Sequence, residues 1–103
     1  ATVDGYDVTL TGDLRAGRSS TVVATVRHNG QVTGLEPYLG AYGHLVALRA
    51  SDLGYLHVHP LERTGPEVRF AVEVPTTGRY RLYLDFQHDG VVRTAAFTVD
   101  TGR

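Results

Sequence analysis

The 103-residue sequence contains no cysteine, no methionine and no tryptophan. Without cysteine there are no disulfides, thiolate nucleophiles, zinc fingers or iron–sulfur clusters. Without sulfur of either kind there are no soft ligands of the sort that favour Cu(I) or a blue-copper centre. Lysine is absent as well: all ten basic residues are arginine, a bias in keeping with a high-GC genome. There is no basic run, the net charge is −1 and the pI is about 6.6, which excludes nucleic acid and anionic membrane as expected partners. No apolar stretch approaches the roughly 18 residues of a membrane-spanning helix. No linker, repeat or low-complexity run divides the chain, so residues 1–103 read as a single domain. The first residue is Ala1 rather than Met, an expected sign of an upstream segment processed or trimmed away.

What is present is a strand-and-turn composition rich in Val, Thr and Gly. Tyr6, Val8 and Leu10 share one face of a first strand, and Val22, Ala24 and Val26 share a face of a second. Val68, Phe70, Val72 and Val74 alternate with Arg69, Ala71 and Glu73, and Tyr80, Leu82, Leu84 and Phe86 repeat the pattern. In the last strand, Val91 to Val99, residues Ala95, Phe97 and Val99 are expected to face inward. Asn29-Gly30 and Asp89-Gly90 supply the positive-φ pairs that tight hairpins require. No segment carries a sustained 3.6-residue apolar period, so almost no helix is expected. Seven or eight short strands in a chain of this length predict an all-β, antiparallel two-sheet β-sandwich of immunoglobulin-like type. The run from Pro75 to Tyr80, a turn delivering a tyrosine to the start of a core strand, resembles the tyrosine corner of such folds.

Histidine carries the chemistry. His57 and His59 stand two apart, so on a strand both rings project from one face while Val58 points the other way. Pro60 then removes a backbone donor and ends the strand, leaving the pair at a sheet rim. Neutral imidazoles suit Zn²⁺ and Cu²⁺ alike. His44 opens a strand after the glycine-bearing turn 40–43, and His88 ends the strand that begins at Tyr80. Strand ends gather at the poles of a sandwich, and a metal satisfies several imidazoles at once, so a shared site is expected from His57, His59 and at least one of His44 and His88. His28, directly before Asn29-Gly30, reads as a hairpin residue outside the site, and Asp85 and Gln87 alternate away from the His88 face. Tyr42, Asp52 and Tyr55 are candidates for hydrogen bonds that fix the imidazole tautomers. The plain alternative is that the histidines are structural and the tyrosines rim packing.

Three stretches sharpen this picture: Pro37 to Arg49, Asp52 to Pro60 with its His-Val-His-Pro ending, and Leu84 to Gly90. Together they resemble a bacterial secreted or envelope heavy-metal-binding domain. More distantly the chain is similar to the YtkA-like group of small immunoglobulin-like envelope domains. The resemblance spans residues 5–100 and is most specific over 37–60 and 78–90. It implies a β-sandwich outside the cytoplasm, extracellular or in the cell envelope or periplasm, with metal ligands at His44, His57, His59 and His88. The lack of Met departs from methionine-bearing copper domains and leaves copper(II) or zinc(II) as the expected cargo.

The expected function is a non-enzymatic divalent metal-binding module for capture, buffering or delivery, its partners the ion and another envelope protein or a neighbouring domain of a longer chain. An alternative is an immunoglobulin-like adhesion or assembly domain with structural histidines. An enzymatic reading, with three histidines activating a water, lacks a general base. Glu62 and Glu67 lie in a loop without a motif, and no Ser-His-Asp pattern is present.

Overall fold

The computed structural model describes residues 1–36, 43–52, 54–61 and 66–101. Among them are nine strands and no helix. Seven strands have four residues or more: β2 (Tyr6–Thr11), β3 (Arg18–His28), β5 (His44–Arg49), β6 (His57–Pro60), β7 (Val68–Val74), β8 (Gly78–His88) and β9 (Val91–Thr101). The other two, β1 (Thr2–Val3) and β4 (Gln31–Val32), are two-residue hairpin arms. All pairings are antiparallel. One sheet runs β1-β2-β3-β7-β6, with β4 on the side of β3 that β7 occupies further along, and the other runs β5-β8-β9. The alternation written into the sequence decides which face of each strand turns inward. Val22, Ala24 and Val26 of β3, Phe70, Val72 and Val74 of β7, and Tyr80, Leu82, Leu84 and Phe86 of β8 are all buried between the sheets. Phe97 and Val99 of β9 pack against that core.

The hairpins take the turn chemistry expected of them. Asn29-Gly30 (φ 54° and 77°) and Asp89-Gly90 (φ 53° and 74°) both have positive φ at the two central residues, and His28 pairs with Gln31 as His88 does with Val91. A third pair of this kind, Asp4-Gly5, joins β1 to β2. The Tyr80 hydroxyl donates to the carbonyl of Thr76 at 2.7 Å, four residues upstream, while the ring is fully buried. That is the tyrosine-corner arrangement.

One crossover positions the candidate site. After β5 the chain turns through Asp52, whose Oδ1 accepts from the Gly54 amide at 3.0 Å. It stays on β5 through the Leu48–Tyr55 bridge and the Leu56 amide bond to Ala47. Between Leu56 and His57 it changes sheets and becomes β6, at the end of the larger sheet beside β7.

Candidate metal centre

β6 pairs with β7 so that His57 lies opposite Glu73, His59 opposite Ala71 and Val58 opposite Val72. Val72 points into the core, so the residues of its parity, Val58 included, face inward, and His57, His59 and Glu73 share the outer face. The two imidazole rings meet edge to face at 4.1 Å between centroids. Glu73 Oε2 lies 3.5 Å from His59 Nε2 and 3.9 Å from His57 Nε2. One donor atom from each residue falls within 4.8 Å of the others. Among the described residues these three form the only group of three or more His, Cys, Asp or Glu side chains close enough to hold an ion. Donors at about 2.1 Å from a tetrahedral ion stand roughly 3.4 Å apart. The two carboxylate–imidazole separations are close to that spacing, and exposed side chains can supply the remaining approach by rotation. Two imidazoles and a carboxylate suit Zn²⁺ or Cu²⁺.

The four histidines expected to act together are divided. His57 is level with Ser19, because both pair with Glu73. His88 lies beside Tyr6, which pairs with His28 at the far end of β3. Ser19 and His28 are nine positions apart along β3, which at about 3.3 Å per residue is roughly 30 Å. His57 and His88 therefore occupy opposite poles, and one ion does not reach both. Grouping every strand-end histidine at one pole overlooked that the start of β6 and the end of β8 point to different ends of the sandwich. His44 pairs with Asp85 in the other sheet and lines a separate depression of about 240 Å³ with Val58, Pro60 and Phe70.

At the opposite pole His88 belongs to an aromatic network. Its Nδ1 shares a 2.5 Å hydrogen bond with the Tyr6 hydroxyl. His28, set aside as a turn residue, stacks on the Tyr6 ring at 4.4 Å and meets His88 edge-on at 6.3 Å. The Arg93 guanidinium lies 4.5 Å from the Tyr6 centroid, is held by Asp4 at 3.2 Å and donates to the His88 carbonyl. Close by, Glu36 accepts from the amides of Asp89 and Gly90, both at 2.9 Å, and from the Gln87 side chain at 3.2 Å. These donors, the Gly90 amide foremost, hold the Glu36 carboxyl below its ordinary value.

Of the residues expected to orient the imidazoles, Asp52 is engaged in its own turn and lies 3.6 Å from Arg49 Nε. Tyr55 is 81% exposed and lines a cleft of about 590 Å³ together with His57, Glu73 and Arg18. Tyr42 and Glu62, like the Pro37–Tyr42 part of the resembling motif, lie outside the described residues. Sequence reasoning missed Glu73. Alternation already set it on an outward face, but only the register of β6 against β7 brings it to the histidine pair.

A family model described as a domain of unknown function, DUF8832, matches residues 1–103. A search of curated proteins finds no match. Among solved structures the chain is similar to the filamin domain of Lin-41, with a TM-score of 0.63 at 17% identity, over 93% of this chain and 92% of that one. It is also similar to a DUF4426 family protein from Pseudomonas aeruginosa, with a TM-score of 0.64 at 10% identity, over 97% and 93%. At these identities the likeness establishes the fold, an immunoglobulin-like sandwich, and nothing about activity.

Proposed function

The chain belongs to the DUF8832 family, and we propose that it is a non-enzymatic module that takes up Cu²⁺ or Zn²⁺ through His57, His59 and Glu73. One observation carries the reading: the outward faces of two neighbouring strands bring two imidazoles and a carboxylate within 4.8 Å of one another. The reading keeps two of the four expected histidines and adds a carboxylate. All three side chains are at least half exposed. An ion there would be reachable from solvent and exchangeable, which suits capture and hand-over better than catalysis, where excluded water strengthens the field around the reacting atoms. In keeping with the envelope-domain resemblance, the setting proposed is outside the cytoplasm, where the ion would pass to another envelope protein or a neighbouring domain. The test is calorimetric titration of metal-stripped protein with Zn²⁺ and with Cu²⁺. One saturable site, lost in Glu73→Gln and in the His57→Ala, His59→Ala double variant, is expected.

The sandwich favours one other reading, assembly through a sheet edge. β9 is the end strand of the three-stranded sheet, and Val91 and Val92 at its start are exposed. Sedimentation that shows self-association independent of metal, abolished by Val91→Lys, would support that role instead.

A further inference from the structure

The register of β5 against β8, and of β8 against β9, sets the side chains of the three-stranded sheet in rows. Directly opposite residues share a face, so Arg81 stands between Leu48 and Thr98, Tyr83 between Val46 and Ala96, and Asp85 between His44 and Thr94. Leu82 and Leu84, of the other parity, are buried in the core, which puts these three rows on the outside. The middle row is apolar: Val46 is 38% exposed, Ala96 is exposed and Tyr83 is half-buried. The Leu48–Tyr55 bridge extends that surface to the exposed Tyr55 ring. The two flanking rows carry opposite charges. Arg79 is matched across the strands by Asp100 at 2.9 Å, whereas Arg81 is flanked by Leu48 and Thr98 and lies 5.8 Å from the Tyr83 centroid. Arg81 and Asp85 are four positions apart on one strand, roughly 13 Å, too far to pair with each other.

We infer that this face docks a second copy of the chain. With the two sheets packed face to face about 10 Å apart, a twofold axis along the Tyr83 row sets Arg81 opposite the partner's Asp85 and Asp85 opposite the partner's Arg81. Val46, Tyr83 and Ala96 then meet their own counterparts between the two ion pairs. The three strands offer roughly 450 Å² of flat face per copy, in the range of transient pairing rather than permanent assembly. The dimer is independent of an ion at His57, His59 and Glu73. It also differs from edge pairing through β9, because it uses the side chains of a sheet face rather than the backbone of an end strand.

The experiment is sedimentation equilibrium of the whole, metal-stripped chain over about 10 µM to about 1 mM, the range in which a weak dimer shows. Wild type is expected to self-associate reversibly. Arg81→Glu and Asp85→Arg each turn both ion pairs into like-charge contacts, and each is expected to weaken the dimer by about tenfold or more. An equimolar mixture of the two variants is expected to regain it, since every charge then meets its opposite. Val46→Glu, in the apolar middle row, is expected to abolish the dimer, and Val91→Lys, at the sheet edge, to leave it unchanged. Circular dichroism checks that each variant is folded. Asp85→Arg gives up the bond that Thr94 donates to Asp85; should it unfold, Arg81→Glu and Val46→Glu, both at exposed positions, carry the test. A wild type that is monomeric throughout, a folded Arg81→Glu that associates like wild type, or association lost in Val91→Lys overturns the inference. So does a mixture of the two folded charge variants that stays monomeric.

Discussion

Replacing Tyr80 by phenylalanine removes one oxygen from the corner at the start of β8. The Tyr80 ring is fully buried and its hydroxyl donates to Thr76 O at 2.7 Å. Thr76 O keeps a second, longer contact from Thr101 Oγ1 at 3.4 Å, so the carbonyl is not wholly orphaned. The expected loss is therefore that of one good hydrogen bond, about 1–1.5 kcal/mol. In a domain of about 100 residues each kcal/mol moves the midpoint by about 4–8 °C, so Tm falls by roughly 5–10 °C. Tyr80→Ala, which also empties the ring's fully buried place in the core, is expected to cost about 3–5 kcal/mol. Because both hydroxyls converge on Thr76 O, Thr101→Val and Tyr80→Phe should couple rather than add. Urea titration and scanning calorimetry of the single and double variants measure all three. Tyr80→Phe with a wild-type midpoint, or strict additivity with Thr101→Val, would refute this account of the corner.

Four further outcomes rest on particular contacts. A β-carbon on Gly12 would stand 2.3 Å from the Thr21 carbonyl oxygen, at φ +130°. Gly12→Ala is expected to cost on the order of 2–3 kcal/mol in urea titration, against about 1–2 kcal/mol for Gly30→Ala, whose surroundings are open. The Glu36 carboxyl is depressed in the folded state, so its contribution is complete above the ordinary value of 4.5 and is lost as pH falls through the lower folded value. The stability gap between wild type and Glu36→Gln should therefore be widest at neutral pH and narrow as the pH falls below the ordinary carboxyl value; a gap that widens in acid would contradict the hairpin clamp. Glu73→Gln should weaken Zn²⁺ by more than about tenfold while the metal-free Tm stays put, because the residue sits on an exposed face. His88→Ala should do the reverse, lowering stability and leaving metal affinity intact.

The architecture was legible because period-two alternation is strong in β2, β3, β7 and β8, and because the Asn29-Gly30 and Asp89-Gly90 turns have a backbone requirement that few other residues meet. The candidate site was legible in part. His57 and His59 announce themselves by spacing alone, which fixes their common face whatever sheet they join. Glu73 does not, since an outward carboxylate on a strand is ordinary until its neighbour is known. Nor does spacing reveal that the chain crosses between sheets at Leu56–His57, the step that sends β6 to β7 and sets His57 far from His88. His28 is the hairpin residue the sequence predicts, outside the metal group, and only its aromatic partner was not legible. A residue before a tight turn is normally a solvent-facing arm, but the register of β2 against β3 sets His28 directly opposite Tyr6 and gives the ring an aromatic partner.

The central claim is an imidazole–carboxylate metal site on the outer face of β6 and β7, and a Cu²⁺ titration of the metal-stripped protein, read by electron paramagnetic resonance, tests it most directly. One stoichiometric signal with hyperfine structure from two nitrogens is expected. That signal disappears in the His57→Ala, His59→Ala variant and persists in His88→Ala. No saturable signal, or a signal that survives the loss of both His57 and His59, would contradict it.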